Sequence, residues 1–177
     1  MGRLEIAMTD RRPWNELRAA MDRAAPRLRD MSDAAAAEPL RPGGWSPKQV
    51  IGHLIDSASN NHQRFVRARF VDALRFPGYD QNAWVEAQGY GEAPWRDLLA
   101  LWESFNRQLA SVMERASAEE LEKKRTDHNL DLIAWEIVPA EESVTLLYFM
   151  RDYVGHLQHH LRQIDTGLAA EPTLQRA

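Results

Sequence analysis

Apolar side chains recur at steps of three and four residues in four long stretches of this chain, the period of one face of an α-helix. In the first stretch Trp14, Leu17, Met21, Leu28 and Met31 follow Asp10, a cap residue, and Pro13, which suits a first helical turn where its missing N–H costs nothing. Pro26 lies inside this stretch and predicts a kink or break, because proline removes an internal hydrogen bond. A short helical piece over 32–38 is expected next, stopped by the turn residues RPGG at 41–44. Ser46, Pro47 and Gln49 then form a capping-box pattern and start a second long helix. Val50, Leu54, Ser57, Asn61, Phe65 and Ala68 carry that helix to about residue 74, before Pro77 and Gly78. Its inward stripe contains polar residues.

The segment 77–93 is punctuated by glycine and proline, with Trp84 in a possible helical turn, and reads as a long crossover. Leu98, Leu101, Trp102, Phe105, Leu109, Val112 and Met113 predict a third long helix over about 94–116. The segment 131–138, rich in Ile, Val and Trp, suggests a short extended piece or hairpin. Ser143 is placed to cap a fourth helix that ends before Gly167. Four long helices without a convincing set of alternating strands predict an all-α fold, a four-helix bundle with a long crossover connection, in one domain over residues 1–177.

Composition narrows the chemistry. A chain of 177 residues, 44% hydrophobic, is long enough to bury a core without staples. A formal net charge of -4 gives no basic field to attract a phosphate backbone, so nucleic acid is not an expected partner. Cysteine is absent, which removes disulfides, thiolate ligands and a cysteine nucleophile together. No signal-like apolar core and no membrane-length apolar run is present, so a soluble cytoplasmic protein is expected. The run ERASAEELEKKR reads as a solvated face, and Trp45, Trp84, Trp95, Trp102 and Trp135 as core or loop anchors.

Histidines carry the strongest chemical signal. Three of the six lie in GHLQHHLRQ, at 156, 159 and 160. Residues four apart share a helix face with Cβ atoms about 5–6 Å apart, which suits two imidazoles leaning onto one metal ion. The pair 156 and 159 would serve almost as well, so spacing alone leaves His159 and His160 both open. A third ligand must come from another element, and His53, on the inner side of the second helix near Val50, Leu54 and Ser57, fits better than His62 or His128. The glutamate of an HExxH motif is missing, since Leu157 and Gln158 stand between the histidines, and this disfavours a zincin-type protease. Asp56, Asp152 and Gln163 lie within a turn of these histidines and are candidates to orient the imidazoles. Tyr79 and Asp80 in the crossover are placed either to reach the site mouth or to shape a turn.

GGWSPKQVIGHLIDS, Arg64 with Phe65, PGYDQNAW and GHLQHHLRQI, taken together and in order, resemble the DinB-like superfamily and, within it, the YfiT-like group of metal-dependent hydrolases and bacillithiol transferases. These motifs span most of the chain. The resemblance implies a metal triad of one histidine in the second helix and two spaced four apart in the last, which match His53, His156 and His160 and leave His159 as a neighbour. It also implies a zinc or nickel ion and a homodimer, for which the tryptophans leave apolar surface. The segment 126–142 is longer than the family pattern, which bears on the substrate side. Three neutral histidines leave a coordination position open, so the expected function is a metal-dependent small-molecule enzyme, a hydrolase or a transferase using a low-molecular-weight thiol. The alternative is a metal-stabilised binding or structural protein without turnover.

Overall fold

The computed structural model describes residues 12–167. Helix α1 (Pro13–Asp30) begins with proline in its first turn and buries Leu17, Ala20, Met21, Ala24 and Leu28 along one stripe. It runs through Pro26 as one element, so of the kink or break expected above the break does not occur. Pro26 is exposed, so the carbonyl it leaves unpaired faces water while the buried stripe opposite stays continuous. Asp10 lies outside the described residues. The short α2 (Asp33–Ala37) is capped by Ser32, whose side chain accepts from the Ala35 N–H.

Helix α3 (Pro47–Arg67) opens with the predicted capping box: Ser46 Oγ accepts from the Gln49 N–H at 3.4 Å, and Gln49 Oε1 accepts from the Ser46 N–H at 3.0 Å. It ends at Arg67, short of residue 74, because Arg69 and Phe70 close a turn on Val66 and Arg67. Leu74 instead pairs its backbone with Asp127 and Asn129 at 2.9 and 3.2 Å.

The crossover contains α4 (Gln81–Ala87) and a 3-10 turn, Tyr90–Glu92. Asp80 caps α4 by accepting from the Asn82 and Ala83 N–H groups, so it shapes the turn. Gly89 follows the helix at φ +62°, a left-handed position that glycine adopts without a Cβ penalty.

Helix α5 (Trp95–Glu114) buries Leu98, Trp102, Leu109 and Met113, but Leu101 is half exposed and lies off the inner stripe. Two short helices follow, α6 (Ala118–Glu122) and α7 (Leu130–Ile133), the latter where an extended piece or hairpin was expected. Helix α8 (Leu146–Gly167) starts after Thr145, whose hydroxyl accepts from the Tyr148 N–H at 3.1 Å, so Thr145 and not Ser143 caps it. Among the described residues no strand forms; two isolated bridges join Leu74 to His128 and Arg125 to Val144.

The four long helices form the predicted bundle, with α1 and α3 each packed against both α5 and α8. Its centre holds Leu17, Leu54, Phe65, Trp102, Met113 and Phe149, with Phe65 edge-on to Phe149 at 5.5 Å. Tyr153 is fully enclosed there and donates its hydroxyl to Asn106. Among the described residues no helix is long and apolar enough to cross a membrane.

The crossover is fastened to α3 at Gly52 and Asp56. A Cβ on Gly52 would sit 2.1 Å from Tyr90 Cδ2, so the tyrosine ring lies directly on the helix backbone. The same Tyr90 hydroxyl donates to Asp56 Oδ1 at 2.7 Å, and Gln88 Nε2 donates to that oxygen at 2.6 Å. Gly52→Ala must push Tyr90 away, and we expect a loss of about 1–3 kcal/mol in urea unfolding, typical of an overpacked core. Gly91→Ala, where nothing lies within 4 Å of the new methyl, is expected to change stability by less than about 0.5 kcal/mol.

Candidate metal centre

His53 leaves the second turn of α3, and His156 and His160 leave successive turns of α8, so the three imidazoles meet across the seam between these helices. Their Nε2 atoms converge: His53 to His156 at 3.1 Å and His160 to His156 at 3.0 Å. One nitrogen from each ring lies within 4.8 Å of the other two. His53 and His160 are 2% and 9% exposed, which removes most of the water that would otherwise solvate them.

This geometry is poorly satisfied by hydrogen alone. An imidazole nitrogen has one in-plane site, used either to donate or to accept, yet His156 Nε2 faces two neighbours at hydrogen-bond distance. At least one of these contacts therefore lacks a normal hydrogen bond. His160 Nδ1 donates to Gln163 Oε1 at 2.8 Å, which leaves its Nε2 as a bare lone pair aimed at the same point. A divalent cation accepts all three lone pairs at once. Bonds of about 2.0–2.1 Å at a tetrahedral angle separate ligand nitrogens by roughly 3.4 Å, close to the spacings here.

Burial pushes all three imidazoles toward the neutral form that a metal requires. Desolvation is the largest cause in each, and together with the neighbouring groups it leaves His53 lowered to about 3, His156 to about 2 and His160 to about 4. The charge that His160 would carry is the second cause for His53 and His156, while the bond to Gln163 acts in the opposite direction on His160.

The other residues singled out in the sequence are distributed around this cluster. Gln163 touches it directly and also donates from Nε2 to His159 Nε2 at 3.0 Å. His159 belongs to that outer contact and is not one of the three converging rings. Asp56 holds Tyr90 and Gln88, and makes no hydrogen bond to an imidazole among the described residues. Asp152 accepts from the Trp135 and Glu136 N–H groups at 3.0 and 2.8 Å and so fixes the segment before α8. His128 is buried away from the cluster, with Nδ1 accepting from the Leu130 N–H and Nε2 against Glu142 O at 2.7 Å. His62 packs beside Phe105.

Several neighbours of the site escaped the sequence reading. Ser57 Oγ lies 3.4 Å from His156 Nδ1, one turn beyond His53 on the same face of α3. Trp45 lies 5.1 Å from the His53 ring, and Trp135 lies 6.5 Å from the His156 ring, so two tryptophans taken as plain anchors wall the cluster. A Cβ on Gly155 would sit 2.9 Å from the Trp135 ring, and glycine is what lets that ring rest on α8. Beside His53 and His156 opens a cavity of about 310 Å³ whose walls include Arg64, Tyr79, Trp135 and Asp152. Tyr79 thus does reach the site, and burial raises its hydroxyl to about 12, so it is a neutral hydrogen-bonding group there.

The family model of the DinB superfamily matches residues 16–164. The chain is 28% identical to the Bacillus subtilis protein named "Putative metal-dependent hydrolase YfiT" over 76% of this chain and 70% of that one. A Bacillus pumilus protein named a metal-dependent hydrolase in the same terms is 30% identical over 76% of this chain and 70% of its own length. The solved structure of the B. subtilis protein, described as a four-helix bundle of unusual topology, superposes with a TM-score of 0.68, covering 89% of this chain and 82% of that one at 23% identity.

The depressed imidazoles have a signed consequence for metal-free protein. Unfolded histidine titrates near 6.5, whereas these groups stay neutral in the folded state until much lower pH, so the unfolded chain takes up protons first. Stability is whole above about pH 6.5 and falls as the pH drops below it. In urea unfolding of chelator-treated protein between pH 6 and 5, His156→Gln is expected to reduce the slope of stability against pH by about 1.4 kcal/mol per unit, the effect of one proton. An unchanged slope would contradict the assignment.

Proposed function

The chain belongs to the DinB superfamily, and from that premise and the three converging imidazoles we propose that it is a metal-dependent enzyme acting on a small molecule. The observation that carries the reading is the meeting of three Nε2 atoms beside a cavity large enough for a substrate. His53, His156 and His160 would hold one zinc or nickel ion, for which neutral imidazoles are apt ligands. Such an ion supplies Lewis acidity that makes water or a thiol nucleophilic near neutral pH.

This chain's own residues define the rest. Gln163 fixes the tautomer of His160, and Ser57 stands at the outer nitrogen of His156. Asp152 holds Trp135 over the site and keeps that wall in place. Neither aspartate reaches the imidazoles as a base, and the chain has no cysteine, so the nucleophile comes from outside. With only neutral ligands the ion would keep its full charge, which favours a soft thiolate, and we favour transfer to a low-molecular-weight thiol. Hydrolysis is the second reading, supported by the names of the relatives. We extend the proposal to a homodimer, supported by the exposed apolar side chains Phe70, Leu132 and Ile137.

Protein purified without a tag is expected to carry about one zinc or nickel per chain by elemental analysis. His156→Ala or His160→Ala should abolish tight binding, and His159→Ala should preserve it; metal retained by both ligand variants would remove the triad. Turnover should stop with chelator, return with added metal and require a thiol. Equal turnover of an ester or amide without thiol would decide for the hydrolase. Light scattering that gave a 20.3 kDa particle across micromolar concentrations would remove the homodimer.

A further inference from the structure

The cavity beside the histidines contains a second chemical feature that a metal centre does not need. His53, Ser57, Asn61 and Arg64 follow one another at steps of four, four and three along α3, and all four line the cavity. Their polar groups are linked: Ser57 Oγ to His156 Nδ1, Asn61 Nδ2 to Ser57 Oγ, and Arg64 Nη1 to Asn61 Oδ1, at 3.4, 3.4 and 3.5 Å. The stripe therefore links the histidines to the Arg64 guanidinium through the Ser57 and Asn61 side chains.

Arg64 is 6% exposed. Among the described residues no carboxylate lies within ion-pair distance of it. Asp152, on the same cavity wall, acts on it by charge from beyond ion-pair distance, and its two oxygens accept from the Glu136 and Trp135 N–H groups. Of the five N–H donors of a guanidinium, hydrogen bonds to Asn61 Oδ1 and Pro77 O account for two. Its remaining surroundings include the face of Phe149, with the guanidinium carbon 5.9 Å from the ring centre. A buried cation without a paired anion costs free energy, and the cost falls when a ligand brings the missing charge.

We propose that Arg64 is the anchor for a carboxylate on the small molecule this cavity accepts, binding the anion at one end and presenting the rest of the molecule toward the histidines. The guanidinium fork matches a planar carboxylate in two parallel hydrogen bonds. Tyr79, neutral and on the same wall, and the Asn61 amide flank it as uncharged partners. The substrate class is then a carboxylic acid whose reacting group is separated from its carboxylate by the span of Ser57 and Asn61. Its use in turnover rests on the metal reading above; binding of the anion does not.

The test uses the full chain as purified, its metal content measured on the same sample, and calorimetric titration at fixed ionic strength with hexanoate and with hexanamide, a pair of equal length that differ in charge. Wild type should bind hexanoate about tenfold or more tightly than hexanamide. Arg64→Met should lose that preference, Arg64→Lys should keep only part of it because a point charge lacks the fork, and His156→Ala should keep it. Circular dichroism verifies that each variant is folded; if Arg64→Met is not, Arg64→Lys and the wild-type comparison still decide. Equal affinity of wild type for the two probes overturns the proposal. So does a preference that survives Arg64→Met and vanishes in His156→Ala, since the anion would then sit on the metal. A hexanoate preference in protein that holds no metal would sink the metal reading and support the Arg64 site.

Discussion

Three uncharged imidazoles pressed together across the α3–α8 seam are the constraint on which the rest of the site depends. Charged rings could not meet there, because burial and mutual repulsion both penalise the imidazolium form. Neutral rings can, but their nitrogens then face one another with too few protons to join them. The arrangement asks for a cation. The helices, their caps and the crossover can be read as the means of holding the lone pairs in register: the Ser46 capping box sets where α3 begins, Thr145 sets where α8 begins, and Gly52 lets the crossover lie close on α3.

The same helix that offers His53 to the seam also lines the cavity with Ser57, Asn61 and Arg64. A bundle core ordinarily fills such a stripe with leucine or valine, so four polar side chains in succession forgo apolar burial that the fold could have used. That cost is intelligible if the stripe serves a ligand. The cluster supplies a place for a cation at one end, the guanidinium supplies positive charge at the other, and the aspartates nearby are bound to backbone and crossover instead of opposing them. With Arg64 as the proposed anchor, the guest is an anion held at the guanidinium end of a cavity whose wall also includes Asp152.

Much of this was legible in the sequence because it depends on local rules. The apolar spacing located the four long helices, the Ser46 and Gln49 pair located the start of α3, and the i, i+4 spacing brought His156 and His160 to one face. What was not legible depends on tertiary partners. Residues 68–74 continue a helical pattern, yet Leu74 is taken up by backbone pairing with the 127–129 segment. Pro26 breaks a local rule but sits on the wet side of α1, where the missing bond is cheap. Asp152 lies one turn before His156 in sequence, but its carboxylate is turned to the Trp135 and Glu136 amides, and only the fold of 130–136 could show it. Trp45 and Trp135 come from loops whose approach to the cluster no helical period encodes.

The central claim is that the three converging nitrogens are ligands of one divalent ion. X-ray absorption at the metal edge of the purified protein examines that claim most directly. Three imidazole nitrogens at about 2.0–2.1 Å are expected, with the outer-ring scattering characteristic of histidine, and an oxygen or sulfur ligand in the open position. A first shell made only of oxygen atoms, without imidazole scattering, would contradict it.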